Sequence, residues 1–174
     1  MPEIELRKKT RVVPTVVLGV AMTLGFPALS NAQASSQDQD AIRNVVSGME
    51  NAWNQGDAKA LAQYFTSEAE VIDIMGGIHA GRNAIERQNA VLLGDMFGGS
   101  HLSQQVRRTT FLRPEVALVD ADAQLYGYKS LPKGFVAAGN VITVRMRHVM
   151  VYGDGKWRIV ASQFTYVAPP PMPE

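Results

Sequence analysis

The chain has 174 residues, of which 46% are hydrophobic and 19% are charged, a composition typical of one globular domain with a core. The formal net charge is +1, so there is no positive excess to indicate a nucleic-acid partner. The chain contains no cysteine, which excludes disulfides, thiolate metal ligands and a cysteine nucleophile.

The N-terminal 32 residues have the pattern of a secretory signal peptide. Four basic residues at positions 7–11 precede an apolar stretch at 12–29, and small residues then lead to Ala32. We therefore expect a periplasmic or secreted protein that is cleaved after Ala32 and has no membrane contact afterwards. Cleavage after Ala34 fits the same pattern, and an uncleaved membrane anchor is the alternative.

The first two predicted helices follow a polar, flexible lead-in at residues 33–39. Asp38 and Asp40 both have side chains suited to cap the first helix. Its apolar residues recur every three or four positions, as in an amphipathic helix; they are Ile42, Val45, Val46, Met49, Ala52 and Trp53. Gly56 then suits the positive φ at a helix end, and Asp57 suits the N-cap of a second short helix.

Downstream of these helices, the sequence predicts strands and one further helix. Residues 70–80 form a short hairpin in this interpretation, with the pair Gly76-Gly77 as a two-residue turn. A third helix starts after Gly81, and its buried side carries Ile85, Asn89, Leu92 and Met96. Long strands are predicted at 102–112, 116–128, 140–152 and 156–167. Residues 168–174 include four prolines and predict an extended tail.

This order of elements predicts an α+β fold, because the helices are grouped on one side of a set of antiparallel strands. The folded domain is expected to span residues 40–167. Long strands covered by only three helices favour a sheet that curves, which leaves a cavity between the sheet and the helices.

The predicted elements carry a set of short motifs, which are Ala52-Trp53-Asn54-Gln55-Gly56-Asp57, Ala60-Leu61-Ala62, Tyr64-Phe65, Gly81-Arg82, Ala84-Ile85, Asp154-Gly155, Trp157-Arg158-Ile159 and Gln163. Together they resemble the motifs of SnoaL-like domains, in the nuclear-transport-factor-2-like superfamily, and they are most similar to the SgcJ/EcaC-type group. The resemblance covers residues 40–167. It implies a cone-shaped fold, with three N-terminal helices packed on a strongly curved antiparallel sheet, a pocket inside the cone and a homodimer through the outer sheet face. The fold serves isomerases, dehydratases, cyclases and binding modules, so it implies no single reaction.

Asp73 and His79 are the predicted catalytic residues. Asp73 is predicted in the middle of a strand, between Ile72 and Ile74. The resemblance implies that enzymes of the superfamily can carry a carboxylate base at this place. A carboxylate that faces an apolar pocket has a raised pKa and can remove a proton next to a carbonyl group. His79 follows the turn and could pair with Asp73 across the hairpin. The alternatives are a strand-edge aspartate that faces water or pairs with an arginine, and a surface histidine near the turn.

Two aromatic residues on the helices are predicted to contact a ligand. Trp53 and Tyr64 each combine a large apolar ring with one polar atom, which suits the wall of a pocket. A position in the core is the alternative for Trp53, because it continues the apolar stripe of the first helix. Tyr64 lies off the stripe of the second helix, so its hydroxyl could reach either the cavity or solvent.

Four residues on the long strands complete the predicted ligand-binding set. Asp122 and Tyr126 share one face of their strand, but alternation alone leaves open which face meets the cavity. His148 lies on a mainly apolar face, where a core position is the alternative. Gln163 shares a face with Trp157 by simple alternation and is predicted to orient a ligand.

Five arginines lie on the predicted strands: Arg107, Arg108, Arg113, Arg145 and Arg147. Their alternation is typical of a solvated sheet face or of ion pairs at a dimer edge. An anionic ligand is a further interpretation.

The sequence predicts no cofactor and no metal site. The pairs Gly76-Gly77 and Gly98-Gly99 lack the surroundings of a dinucleotide-binding loop, and no short spacing brings metal ligands together. The predicted function is binding of a small, largely apolar organic molecule, with catalysis of proton transfer or hydration–dehydration by Asp73 as the base. The alternative is a non-catalytic ligand-binding or dimerisation module.

Overall fold

The computed structural model describes residues 35–169. The predicted signal peptide, the start of the lead-in and residues 170–174 of the tail lie outside the described residues. Among the described residues, no helix is long and apolar enough to cross a membrane.

Helix α1 (Ser36–Asn54) begins within the expected lead-in, because Ser35 rather than Asp38 or Asp40 is its N-cap. The Ser35 hydroxyl accepts a hydrogen bond from the Asp38 N–H at 3.0 Å and donates one to Asp38 Oδ2 at 2.6 Å. Asp38 is the third residue of the helix, the position from which an acidic side chain reaches back to the cap. The predicted apolar stripe is confirmed by the burial of Ile42, Val45, Val46, Met49 and Ala52.

Gly56 and Asp57 separate α1 from α2 (Ala58–Ala62), as predicted. Gly56 has a positive φ of 71°, and Asp57 Oδ1 accepts a hydrogen bond from the Ala60 N–H at 2.8 Å. The third helix, α3 (Arg82–Gly94), starts directly after Gly81, which is also the predicted position.

The helices form one layer of the fold, and a six-stranded sheet forms the second layer. Its strands are β1 (Phe65–Ile72), β2 (Ile78–Ala80), β3 (His101–Arg113), β4 (Val116–Tyr126), β5 (Ile142–Gly153) and β6 (Lys156–Val167). They lie side by side in the order β2-β1-β6-β5-β4-β3. The α+β class and the curved, unclosed sheet are confirmed. The sheet is mixed rather than purely antiparallel, because β1 and β6 run parallel while the other neighbours are antiparallel.

Strand β4 shows which sheet face packs under the helices. Its buried residues are Ala117, Val119, Ala121, Ala123 and Leu125, whereas the residues between them are partly or fully exposed. The buried set belongs to the two apolar clusters that form the core, and Trp53 and Phe164 contact both clusters. The inner, concave face is therefore the small apolar one, and Asp122 and Tyr126 lie on the outer face.

A β-bulge in β6 changes which of its residues face the core. Met150 pairs with Ile159, but the next pair is Val149 with Ala161, so one residue of β6 has no direct partner. Such an extra residue shifts the alternation of side chains that follow it. Ser162 and Phe164 therefore face inward, and Gln163 faces outward.

Candidate functional site

A cavity of about 290 Å³ lies between the helices and the concave face of the sheet. Its walls are mainly apolar. The principal apolar side chains are Met49, Trp53, Leu61, Leu92, Met96, Phe97, Leu125, Ile142, Met146 and Phe164. A site of this size and polarity suits a small organic molecule with a large apolar surface.

Trp53 lines this cavity, as predicted, and contributes an apolar surface to it. Its indole Nε1–H donates a hydrogen bond to the Ser100 hydroxyl at 3.0 Å. The ring centroid lies 6.0 Å from that of Phe97. Because the polar atom of Trp53 already has a protein partner, its ring offers packing rather than hydrogen bonding to a ligand.

Asp73 lies in the turn between β1 and β2 rather than in the middle of a strand. The Asp73 N–H donates to the Gly77 carbonyl at 2.9 Å, and Asp73 Oδ1 accepts from the N–H groups of Met75 and Gly77 at 2.8 and 2.9 Å. An aspartate that binds backbone N–H groups of the residues after it is a common turn-former. The turn therefore comprises residues 73–77 instead of the two predicted glycines.

Gly77 fits this turn because there is no space for a side chain at its position. A Cβ at this position would lie 2.7 Å from Asp73 Oδ2, well inside van der Waals contact. Any other residue would push against the carboxylate. The sequence pattern Asp73–Gly77 thus encodes a close approach between a backbone and a side chain.

Asp73 and His79 form a hydrogen-bonded pair at one end of the cavity. His79 Nε2 lies 2.8 Å from Asp73 Oδ2, and the two side chains are only 19% and 18% exposed. His79 pairs with Val71 across the β1–β2 ladder, and all three residues line the cavity. The predicted contact between the two residues is therefore present.

The pKa of the Asp73 carboxyl is lowered, so the expectation of a raised pKa is wrong. Burial acts to raise it, but hydrogen bonds from His79 and from the N–H groups of Gly77 and Met75 outweigh burial and stabilise the charged form. An ionised carboxylate only accepts hydrogen bonds, so His79 Nε2 must carry the proton between them.

Three further polar side chains line the cavity and were not among the predicted site residues: Gln88, Asn89 and Gln104. Gln88 and Asn89 are on α3, which packs against β1 and β2. Asn89 Nδ2 donates to the Ile85 carbonyl at 2.8 Å, which fixes the orientation of the amide. For Asn89 the sequence did contain a signal, because it is a polar residue on the predicted buried side of the third helix. Gln104 comes from β3, at the opposite edge of the sheet.

Tyr64 and His148 do not line the cavity. Tyr64 packs against Gly48 of α1, where its hydroxyl occupies the place that a Cβ would take. His148 is fully buried, and its Nδ1 lies 2.7 Å from the Ser162 hydroxyl oxygen. Burial lowers the pKa of His148 to about 4, so the ring is neutral. His148 is therefore a core histidine, which was the alternative to the predicted contact with a ligand.

Asp122, Tyr126 and Gln163 also lie outside the cavity, because all three are on the outer face of the sheet. The inner face of β4 is occupied by small apolar residues, which leaves Asp122 and Tyr126 outside. Tyr126 packs on His101, with ring centroids 4.9 Å apart. Gln163 is turned outward by the bulge in β6, which sequence alternation did not include.

Within residues 35–169, no group of three or more metal-binding side chains converges. The chemistry that these residues can supply is acid–base chemistry by the Asp73–His79 pair beside an apolar cavity.

Comparison with solved structures identifies the same architecture in other proteins. A cystatin-like domain of unknown function from Nostoc punctiforme is 23% identical, with a TM-score of 0.67, and the match covers 79% of this chain and 82% of that one. A putative scytalone dehydratase from Novosphingobium aromaticivorans is 17% identical, with a TM-score of 0.63 and coverage of 75% and 85%. A hexachlorocyclohexane dehydrochlorinase from Novosphingobium barchaimii is 14% identical, with a TM-score of 0.61 and coverage of 75% and 86%.

At these identities the three structures show a common fold and nothing about the reaction. No curated protein matches the chain at a significant level. The sequence model of the SnoaL-like domain, in contrast, matches residues 34–163, which is most of the chain. The chain therefore belongs to the SnoaL-like domain family.

Proposed function

We propose that this domain binds a small, largely apolar organic molecule in the cavity and removes a proton from it, with His79 as the general base. The observation that supports this most directly is the Asp73–His79 hydrogen bond of 2.8 Å at the edge of an apolar cavity. A histidine is well suited to this role, because its ordinary pKa lies close to neutral pH.

In this proposal the roles of the two residues are exchanged relative to the sequence prediction. Asp73 accepts three hydrogen bonds and has a lowered pKa, which makes it a weak base. It holds the proton on His79 Nε2 and leaves the Nδ1 lone pair for the substrate. When Nδ1 takes the proton, the adjacent carboxylate stabilises the resulting imidazolium, as in other carboxylate–histidine pairs.

The distribution of polarity in the cavity indicates the kind of substrate. Asp73, His79, Gln88 and Asn89 come from the β1–β2 hairpin and from α3, which packs against it. Most of the remaining wall is aliphatic or aromatic. We therefore infer a largely apolar substrate whose acidic C–H lies near a polar group, with Gln104 of β3 as a separate polar contact.

Loss of a proton together with a leaving group on the neighbouring carbon is the reaction class we favour. Two of the proteins with a similar fold are named as a dehydratase and a dehydrochlorinase, whose names describe loss of water and of hydrogen chloride. Both reactions remove a proton from the substrate, which a general base can accept. For this chain, elimination is our proposal and rests on the His79 geometry.

Turnover of two probe compounds tests the proposal. Hexachlorocyclohexane is assayed by chloride release, and scytalone by the absorbance change on loss of water. We expect His79→Gln to lower kcat on an accepted probe by about 100-fold or more, the usual contribution of a general base, with KM little changed. His101→Gln is the matched control, because His101 is exposed and lies outside the cavity.

The outcome also separates catalysis from binding alone. Quenching of Trp53 fluorescence reports occupancy, since Trp53 lines the cavity. If His79→Gln turns over an accepted probe as fast as His101→Gln, His79 is not the base. If both probes bind without turnover, the alternative applies: a ligand-binding module in which the Asp73–His79 pair only closes the 73–77 turn.

We further propose that the protein is exported and that two copies associate through the outer sheet face. Export is supported by the signal-peptide pattern of residues 1–32, and association by the family resemblance. The mass of the protein recovered from the periplasm or medium shows whether residues 1–32 have been removed. Sedimentation velocity of the processed protein shows whether it is a dimer.

A further inference from the structure

The outer face of the sheet carries a cluster of arginines on the side opposite the cavity. We call Arg107, Arg108, Arg145 and Arg147, with the two aspartates between them, the outer arginine patch. Arg107 and Arg108 are adjacent in sequence, yet both reach the outer face because the register of β3 shifts between Val106 and Arg108. The bulge thus concentrates positive charge on one face.

Each aspartate of the patch lies between two arginines. Asp120 contacts Arg147 Nε at 2.7 Å and Arg108 Nη2 at 2.8 Å. Asp122 contacts Arg107 Nη1 at 3.4 Å and Arg145 Nε at 3.8 Å, so its ion pairs are longer. The two aspartates hold four guanidinium groups close together on neighbouring strands.

Arginines stabilise the charged form of Asp120 in the patch. The hydrogen bond from Arg147 lowers the pKa of the Asp120 carboxyl, and this effect, with that of Arg108, exceeds the opposing effect of burial. By formal charge, the patch carries four positive and two negative groups, a local excess of +2. In a single copy of the chain the excess is accessible, because the side chains of Arg107 and Arg145 are 54% and 64% exposed.

The surface of the patch has room for a ligand. The patch surrounds a depression of about 680 Å³, with Gln163 and Thr165 of β6 also on its lining. These two side chains add an amide and a hydroxyl donor. The pairs to aspartate use at most two nitrogens of each guanidinium group, so further N–H donors remain for a ligand.

We propose that the outer arginine patch binds a small multivalent oxyanion of the phosphate or sulfate type. Planar guanidinium groups match the oxygens of such anions with paired hydrogen bonds, and a dianion neutralises the local excess of charge. The site is separate from the cavity and does not depend on the reaction proposed there. Two copies associated through this face would bring like charges together, so a bound oxyanion also suits the proposed homodimer.

Calorimetric titration of the processed protein with inorganic phosphate and with pyrophosphate tests the site. Ionic strength is held constant with chloride, so that general screening does not change during the titration. We expect saturable binding, tighter for pyrophosphate, that weakens when the chloride concentration is raised. Arg145→Gln should weaken it by about tenfold, the loss of roughly one charge-assisted hydrogen bond.

Two variants make the test independent of folding defects. Asp122→Asn removes a negative charge from the patch and should tighten phosphate binding several-fold, a gain that a misfolded protein would not show. Arg43→Gln is the matched control, because Arg43 is a paired surface arginine on α1, and it should bind phosphate like the unchanged protein.

The proposal is overturned by the absence of saturable binding, or by binding that Arg145→Gln leaves at the level of Arg43→Gln. Sedimentation velocity in the same buffers identifies association of two copies. Association without phosphate binding would identify the face as a protein interface and not an anion site.

Discussion

Asp73 accepts hydrogen bonds from two backbone N–H groups and from His79, and these decide which residue of the pair can take up a proton. The spacing of Asp73 and His79 around a turn was enough to predict their contact, because a hairpin places such residues opposite each other. The direction of the Asp73 pKa shift could not be predicted in the same way. It depends on backbone donors that only the conformation of the turn brings to the carboxylate.

His148 shows how a single buried side chain makes stability depend on pH. Its pKa is about 4 in the folded protein, against an ordinary value of 6.5. Between these values the unfolded chain binds more protons than the folded one, so the free energy of unfolding falls as the pH is lowered. We expect a loss of about 3 kcal/mol between pH 6.5 and pH 4, measured by urea unfolding at fixed temperature.

A variant separates this contribution from that of the carboxylates. His148→Gln should remove most of the slope between pH 6.5 and pH 4, whatever its effect on stability at pH 7. The carboxyls with a lowered pKa, those of Asp38, Asp73 and Asp120, act near and below their ordinary value of 3.8. An unchanged slope in His148→Gln would show that other groups cause the dependence.

At the scale of elements, the 73–77 turn should control the reactive pair. Gly77→Ala places a Cβ against Asp73 Oδ2 and should disrupt the hydrogen bond to His79. We expect a loss of stability of about 1–3 kcal/mol, as for other overpacked positions, together with lower turnover. The downfield NMR signal of the His79 Nε2 proton should weaken or disappear.

Gly94→Ala is the control for this substitution. Gly94 is the last residue of α3, and a Cβ there would meet no other atom within 4 Å. This variant should be as stable as the unchanged chain, or more stable by about 0.5–1 kcal/mol. If Gly77→Ala behaves like Gly94→Ala and retains the Nε2 proton signal, the close approach does not constrain the pair.

Local patterns predicted the elements well where the chain follows regular periods. The stripe of α1, the Gly56-Asp57 break and the start of α3 depend on neighbouring residues, so the sequence predicted them correctly. The bulge in β6 breaks the two-residue period, and this is why Gln163 was placed on the wrong face. The parallel pairing of β1 with β6 joins distant segments and has no local signal.

For the whole molecule, the cavity has a cost in stability that a substitution can remove. Ala123 is buried and lines the cavity, so Ala123→Leu should fill part of the space. We expect a gain in the free energy of unfolding of about 1–2 kcal/mol, measured by urea unfolding, because an unfilled volume destabilises a core. Binding of the probe compounds should be lost.

Ala117→Leu provides the comparison, because Ala117 is on the same strand and the same face but does not line the cavity. At position 117 the added side chain has no space, and we expect the free energy of unfolding to fall by about 1–3 kcal/mol. Equal losses in both variants would mean that the space beside Ala123 is not available to a side chain or a ligand.

The β1–β2 hairpin has a consequence for how this domain could acquire new reactions. Both members of the acid–base pair lie within residues 73–79, and β2 has only three residues and one neighbouring strand. Most of the buried residues that hold the helices on the sheet lie elsewhere in the chain. The reactive groups can therefore change through a seven-residue segment while most of the core stays intact, so selection can alter the chemistry with little effect on folding as long as the 73–77 turn is kept.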